Sequence, residues 1–236
     1  ELKVYLFNFR KMEELYKHLW IWEGGKYGAI LVKGDKGGWT NAGVTLATWQ
    51  TLAPKLFGIV GNLDTLKKMS YDQWKEVVNH FYQTTLANQI NSPMIAALVV
   101  DGVYWSGSYF TEYDLQPALN ELGQNIKVDG VIGNKTIAAI NAVDPSELFE
   151  LVNQKRWRRL RGFAVANPDQ YKFLYGWHNR IRGLANDFQQ PYPEPAPLAY
   201  LRKIDPTVIK ANAPDTWKVL QSGAQDPPNI YSKKKV

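Results

Sequence analysis

The sequence contains no cysteine, only three histidines and no long apolar stretch. Without cysteine the chain forms no disulfide bond and offers no thiolate to a metal. His18, His80 and His178 lie far apart, and none has a second histidine at the short spacing typical of metal ligands. An apolar run of about 20 residues is needed to cross a bilayer, and the chain has none. We therefore expect no metal centre, no cofactor and no membrane span.

Signatures of export, of phosphate binding and of a serine nucleophile are also missing. The chain opens at Glu1 without the basic, apolar and small-residue series of a signal peptide, which predicts synthesis in the cytoplasm without a visible export signal. The glycine pairs 24–25 and 37–38 lack the preceding strand and following helix of a phosphate-binding loop. The segment 106–108 does not resemble a nucleophile elbow. Carboxylate chemistry remains as the candidate.

The charged and aromatic residues favour an acidic or a carbohydrate partner. A net charge of +6 attracts nucleic acid, anionic lipid or an anionic cell-wall polymer. Nine Trp and thirteen Tyr provide rings that stack on bases and also on the apolar faces of sugars. The basic run 155–161 is either a solvated helix face or a surface that attracts an anionic polymer. No recognition motif accompanies it, so we expect no nucleic-acid partner.

The first half of the chain is predicted to be mainly helical. Apolar residues recur at helical spacing from about residue 6 to residue 22. Each of three further helices begins at a residue suited to N-capping: Thr45, Ser70 (with Gln73 completing a capping box) and Ser92 (with Pro93 at the first helical position). The last of these runs through an almost wholly apolar segment toward Trp105 and predicts the central buried helix. Between 26 and 44 the helical period disappears, which favours a small β-hairpin or an ordered loop.

The second half predicts further helices and then an extended tail. Helices are expected over about 111–122, after the tight turn 128–136, over 146–166 and over 168–188. Beyond residue 190 four prolines fall within seven positions, which predicts an extended tail over 190–236. We find no internal repeat.

Glu23 stands at the end of the first apolar helix face. It continues the spacing of Met12, Tyr16 and Leu19, and Gly24 and Gly25 follow it with a backbone suited to ending a helix. Two interpretations are open: a partly exposed glutamate of the last turn, or an acid that is aimed toward the core. Most helical glutamates are solvated, so position alone favours the first.

A second carboxylate follows in the turn-rich segment. Asp35 comes twelve positions after Glu23, and Thr40 and Asn41 lie just beyond it. Glycoside hydrolysis needs two carboxyl groups that flank a sugar bridge, one to protonate the leaving oxygen and one to hold water or the developing positive charge. The order also resembles phage-type lysozymes.

Three blocks of residues form a pattern along the chain. The first runs from Trp22-Glu23-Gly24-Gly25 to Asp35-x-Gly37-Gly38-x-Thr40-Asn41-x-Gly43-Val44-Thr45. The second joins the apolar helix after Ser92-Pro93 to Asp101 and Trp105-Ser106-Gly107, and the third is 123–136 with Gly176-Trp177-x-Asn179-Arg180. Together the blocks resemble glycoside hydrolase family 108, which comprises lysozyme-like N-acetylmuramidases that include phage lysins, and the third is similar to the peptidoglycan-binding region that usually follows. The resemblance covers roughly residues 8–187.

The resemblance implies a fold and a domain order. It implies a mainly α-helical, lysozyme-like catalytic domain with a small β-hairpin over 1–110, and a helical peptidoglycan-binding domain over 111–189, before the Pro-rich tail 190–236. The implied partner is the glycan strand of peptidoglycan in the bacterial cell wall, reached in the periplasm. A monomer is expected.

The resemblance also implies site residues. The catalytic acid of the family corresponds to Glu23, which reverses the preference for a solvated glutamate, and Asp35 is the candidate second carboxylate. Candidates to bind the substrate are Tyr27, Trp39, Thr40, Asn41, Asp101 and Trp105. The chain departs from the family pattern at Lys26, in the loop 28–34 and at 102–104, positions that bear on substrate preference and on the placement of Asp35.

Two other functions remain compatible with the sequence. A lytic transglycosylase needs only one acid and yields an anhydro sugar. A protein that keeps the fold without catalysis would bind the wall and release nothing.

Overall fold

The computed structural model describes residues 12–13, 15–31, 38–191 and 197–224. These residues divide into two compact units. The first contains the chain up to Thr111 together with Val131–Asn141, and the second contains Glu112–Gly130 and the chain from Ala142 onward. The fold is mainly α-helical with one small sheet, as the sequence predicts. The domain boundaries at 110 and 189 stay a prediction.

The first unit begins with helix α1, which covers the described residues 12–13 and 15–22. Strands β1 (Ala29–Leu31), β2 (Trp39–Asn41) and β3 (Val44–Thr45) follow and form an antiparallel sheet in the order β1-β2-β3. Ile30 lies opposite Thr40, and Asn41 lies opposite Val44. The expected hairpin is therefore present, with a third strand joined to it.

Helices complete the first unit. They are α2 (Leu46–Phe57), α3 (Leu63–Lys67), α4 (Tyr71–Thr84), α5 (Pro93–Ser106), α6 (Ser108–Phe110) and α8 (Asn134–Ala142, of which 134–141 lie in this unit). The predicted caps are confirmed: the side chains of Thr45, Ser70 and Ser92 each accept a hydrogen bond from a backbone N–H in the first turn of α2, α4 and α5. Helix α3 is a difference from the sequence prediction, and its capping box is formed by Asn62 and Thr65.

Helix α5 is the central helix of the first unit. Every residue from Met94 to Gly102 is buried, including Asp101, and α5 packs against α4. Apolar burial of this extent is the main term that stabilises a unit of this size. The prediction of a central buried helix is confirmed.

The second unit contains α7 (Gln116–Glu121) and the long helices α9 (Pro145–Ala166) and α10 (Tyr171–Asp187). A π-helical segment at Thr111–Leu115, of which 112–115 lie in this unit, precedes α7. Helices α9 and α10 pack against each other, and α7 packs against α9. Asp144 caps α9, where its side chain accepts hydrogen bonds from the backbone N–H groups of Ser146 and Glu147.

The predicted extended tail is wrong for residues 197–221. Three short helices lie there: α11 (Pro197–Leu201), α12 (Pro206–Asn212) and α13 (Pro214–Gln221). Proline at the first helical position is compatible with a helix because the N–H that it lacks has no intrahelical partner there. Pro206 and Pro214 occupy this position in α12 and α13, and α11 begins at Pro197. Residues 192–196 and 225–236 lie outside the described part.

In the part of the chain that the structure describes, no helix combines the length and the apolar composition that crossing a bilayer requires.

Candidate active site

Two glycines determine how α1 ends at Glu23. The backbone N–H of Glu23 still donates to Leu19 O at 2.8 Å, and Gly24 then adopts φ +67°, a left-handed conformation that glycine tolerates best. Gly25 is buried beneath Trp20, and a Cβ at this position would lie 2.1 Å from the indole ring. Gly24 thus turns the chain, and Gly25 leaves room for Trp20.

An aromatic cluster fixes the end of α1 against α4. The Trp20 ring lies 4.9 Å from the rings of both Trp74 and Tyr71, in edge-to-face geometry. Tyr16, one turn earlier, lies 6.3 Å from Trp74. Burial, together with the charges of Glu76 and Glu13, raises the pKa of Tyr16 to about 12. The phenol therefore stays protonated at neutral pH and is unsuited to act as a base.

The turn between β2 and β3 contains two residues in the left-handed region. Ala42 has φ +47° and Gly43 has φ +79°, and they join the paired residues Asn41 and Val44. Two consecutive positive φ values are the mark of a type I′ hairpin turn, and such a conformation costs an alanine about 1 to 2 kcal/mol.

Two side chains hold this turn by its carbonyl group. Tyr104 on α5 donates from its hydroxyl to Ala42 O at 2.7 Å, and Trp74 on α4 donates from Nε1 to the same oxygen at 3.1 Å. Trp74 Nε1 also lies 3.1 Å from the hydroxyl oxygen of Tyr104. The turn is thereby anchored to both α4 and α5.

The carboxyl group of Glu23 lies against this turn. A Cβ at Gly43 would be 2.5 Å from Oε2 of Glu23 and 2.7 Å from Cε1 of Tyr104, so only glycine leaves room for both groups. Glu23 is half-buried, which keeps it accessible to a ligand. The structure thus brings together Glu23, the β2–β3 turn and the ring of Tyr104.

The three predicted binding residues on β2 differ in their surroundings. Asn41 is 3% exposed, and its Nδ2 donates to Leu66 O at 2.8 Å. Trp39 is half-buried with Nζ of Lys67 4.7 Å from its ring centroid, and Thr40 is also half-buried. The amide of Asn41 therefore ties β2 to α3, whereas Trp39 and Thr40 keep accessible surface.

The remaining predicted residues are dispersed. Tyr27 is 69% exposed, and Trp105 on α5 is half-buried. Asp101 is fully buried and faces His18 of α1, with 3.6 Å between its Oδ1 and Nε2 of the histidine. Asp35 lies outside the described residues. The roles of all these residues in binding or catalysis stay predictions.

Sequence patterns did not identify Trp74 and Tyr104 as the residues that anchor the turn against which Glu23 lies. Trp74 has the spacing of an ordinary core residue on α4, and Tyr104 stands out only as a departure from the family pattern. Their hydrogen bonds to Ala42 span 32 and 62 residues of sequence. Only the tertiary structure brings such distant positions together.

A metal cluster is not found in the described residues: no group of three or more His, Asp or Glu side chains there is placed to hold an ion.

The basic run of α9 is used mainly inside the second unit. Arg159 binds Asp114 through both carboxylate oxygens, with 2.7 Å between Nη2 and Oδ2. Burial raises the pKa of Asp114, and the hydrogen bonds and charge of Arg159 oppose this shift. Arg156 is fully buried, Lys155 pairs with Glu121, and Arg158 is exposed. The interpretation of 155–161 as a solvated helix face therefore holds for Arg158 but not for the whole run.

An aromatic strip lies on the surface of the second unit, where α9 ends and α10 begins. Phe163 is 49% exposed, and its ring centroid lies 6.2 Å from that of Trp177. Phe173 lies 5.9 Å from Trp177 with nearly parallel rings, and Lys172 stands over Phe173. Exposed clusters of large apolar side chains are often binding surfaces.

Comparison with known families gives two matches. Residues 16–107 match the glycosyl hydrolase 108 family, and residues 113–182 match a predicted peptidoglycan domain. Both resemblances seen in the sequence are confirmed over these segments. Together the matches support a glycoside hydrolase that acts on peptidoglycan.

Among solved structures, the chain resembles that of Brucella abortus SagA, with a TM-score of 0.57 and 20% identity over 74% of this chain and 93% of that one. At this identity the likeness concerns the fold alone. A comparison with curated proteins gave no match.

Proposed function

We propose that this chain, whose residues 16–107 belong to glycosyl hydrolase family 108, is an N-acetylmuramidase with Glu23 as its general acid. Its substrate would be the β-1,4 bond between N-acetylmuramic acid and N-acetylglucosamine. The observation that carries the proposal is the position of Glu23. Its carboxyl group is half-buried at the end of α1 and rests on the β2–β3 turn, inside the matched segment.

In the proposed mechanism Glu23 donates a proton to the glycosidic oxygen while the bond from that oxygen to the anomeric carbon breaks. Water then adds to the anomeric carbon, gives up a proton to a carboxylate and leaves a reducing end, and the protonated form of Glu23 is restored by this proton or by solvent. A positioned general acid typically contributes about 10²- to 10⁴-fold to such a rate. Thr40 and Asp35 are proposed to position the water or to stabilise positive charge on the ring.

The stereochemistry of the product distinguishes two forms of this mechanism. A second carboxylate about 5 Å from the acid acts as a nucleophile and retains the anomeric configuration, whereas a spacing of about 6.5 to 9.5 Å leaves room for an inverting water. Proton NMR of the first reducing ends released identifies the anomer directly.

A turbidity assay on purified peptidoglycan tests the role of Glu23. Glu23→Gln keeps the shape of the side chain and removes its proton, so we expect the lysis rate to fall at least about 100-fold. Glu76→Gln makes the same change at an exposed position of α4 and should lyse at the wild-type rate. Wild-type lysis by Glu23→Gln would rule out this assignment.

The lytic transglycosylase is separated by its product. If the protein were a lytic transglycosylase, mass spectrometry of the released muropeptides would find anhydro ends, which are lighter by one water than the reducing ends that a hydrolase leaves. The proposal requires the reducing ends.

The aromatic strip favours direct contact between the second unit and the wall. Phe163 and Trp177 present ring surface that suits stacking on sugars. If the protein only binds the wall, it sediments with insoluble peptidoglycan and releases no sugar. Our proposal predicts that Glu23→Gln sediments with peptidoglycan and that the wild-type protein also releases sugar.

Three finer expectations stay predictions beside this proposal: action in the periplasm after synthesis in the cytoplasm, a role as a phage or prophage lysin, and a monomeric state.

A further inference from the structure

We infer that Tyr104 is a positioning residue for Glu23, acting through the turn between β2 and β3. The inference rests on the proposed function, because it takes Glu23 to be the acid. Two observations support it. Hydrogen bonds join Tyr104, Trp74 and the carbonyl oxygen of Ala42, and the carboxyl group of Glu23 approaches the next residue, Gly43, closely.

The connection begins at the carbonyl group of Ala42. Tyr104 donates its hydroxyl hydrogen to this oxygen at 2.7 Å, and Trp74 donates its indole hydrogen at 3.1 Å. Trp74 Nε1 also lies 3.1 Å from the hydroxyl oxygen of Tyr104. The indole N–H therefore has two acceptors, this oxygen and the carbonyl oxygen of Ala42. Tyr104 therefore makes the shorter bond and also orients the second donor.

The anchored carbonyl belongs to a residue that has little freedom to move elsewhere. Ala42 is 2% exposed and adopts φ +47°, a conformation that costs free energy for alanine. Trp74, the second donor, is fully buried in the core against Trp20. Loss of the tyrosine hydroxyl would leave the buried carbonyl with the more distant donor alone, and the strained turn could then relax.

The next residue transmits this position to the acid. Gly43 has no side chain where Glu23 and Tyr104 approach it. A Cβ at this position would lie 2.5 Å from Oε2 of Glu23 and 2.7 Å from Cε1 of Tyr104. Movement of the turn therefore moves the surface on which the carboxyl group rests. Misplacement of a catalytic group by about 1 Å can cost as much as 100-fold in rate.

Tyr104→Phe tests this role because it removes the hydroxyl and keeps the ring. We expect kcat on soluble glycan strands to fall about tenfold while KM stays within about twofold, since the change displaces the acid and not the substrate. We also expect hydrogen exchange in peptides that span 38–48 to become faster. Tyr82→Phe removes a half-buried hydroxyl from α4 outside this network and should change neither quantity.

Each other outcome contradicts the inference. An unchanged kcat would mean that the hydroxyl does not position the acid. A raised KM with unchanged kcat would indicate a substrate contact, and a reduced kcat without faster exchange at the turn would place the effect elsewhere. A wild-type protein that releases no sugar would instead refute the proposed function, and hydrogen exchange would still show whether Tyr104 holds the turn.

Discussion

The carboxyl group of Glu23 and the backbone of Gly43 approach so closely that a Cβ on the glycine would lie 2.5 Å from Oε2. Real side-chain carbons do not tolerate this distance, so the absence of a side chain at position 43 is a condition for the observed position of the acid. The hairpin turn thus forms part of the candidate site through its shape, without contributing a functional group.

Gly43→Ala should reduce catalysis much more than stability. The positive φ of +79° costs an alanine about 1 to 2 kcal/mol, and the new methyl group also displaces the carboxyl group of Glu23. We expect lysis of peptidoglycan to fall by at least about tenfold at a temperature where the variant is folded. Thermal unfolding and turbidity measured on the same sample provide both values.

Gly58→Ala is the matched control. Gly58 has φ +66° after the end of α2, and apart from its own atoms and its chain neighbours no atom of the described residues lies within 4 Å of where its Cβ would stand. Both variants should lose stability through the positive φ, and Gly43→Ala should lose somewhat more because its Cβ also meets Glu23 and Tyr104. Only Gly43→Ala should lose activity. Equal activity in the two variants would show that the space at position 43 does not matter to the acid.

Arg159→Met should destabilise the second unit strongly. It leaves the fully buried carboxylate of Asp114 without the charge that binds both of its oxygens, and breaking a buried pair in this way typically costs about 3 to 5 kcal/mol. Urea unfolding followed by circular dichroism measures the loss. Asp114→Asn in the same background should restore part of it, because the uncompensated charge is then absent.

Arg158→Met is the neighbouring control within the same basic run. Arg158 is exposed, and exposed charges contribute at most about 1 kcal/mol. If Arg158→Met destabilised the protein as much as Arg159→Met, the ion pair with Asp114 could not be the cause.

Local signals in the sequence predicted the helices well. Thr45, Ser70 and Ser92 cap α2, α4 and α5, as predicted. An N-cap acts within one helical turn, so the residues that form it are close together in the sequence and can be recognised there. The missed helix α3 carries the same type of signal in Asn62 and Thr65.

The surroundings of the acid were less predictable, because they depend on contacts between distant positions. The role proposed for Glu23 came from the resemblance to family 108, because its place before two glycines alone favoured a solvated glutamate. The hydrogen bond of Tyr104 to Ala42 crosses 62 residues. The burial of Asp101 against His18 likewise requires α1 and α5 to be in place. In the tail, the cluster of prolines at 191–197 predicted an extended chain, whereas Pro206 and Pro214 begin helices further on, because proline is excluded from a helix interior but suits a helix start.

His178 should make the second unit less stable as the pH falls below about 6.5. Burial, followed by the charges of Arg182 and Arg161, lowers the pKa of His178 to about 3 in the folded protein, whereas the unfolded chain binds a proton near the ordinary value of 6.5. Between these two values only the unfolded chain takes up the proton, so stability is lost as the pH falls through 6.5 and the loss is complete near pH 3. Above 6.5 both states are neutral at this residue and contribute no pH dependence.

His178→Phe removes this proton uptake and keeps a ring against Trp157, whose centroid lies 4.2 Å from that of the histidine. We expect the free energy of unfolding of the wild-type protein to fall by up to about 1.4 kcal/mol per pH unit more than that of the variant. Urea unfolding at intervals between pH 7 and pH 5 measures the difference, and the carboxyl groups common to both proteins cancel in it. Parallel pH dependences in the two proteins would mean that His178 takes up its proton in the folded state as readily as in the unfolded chain.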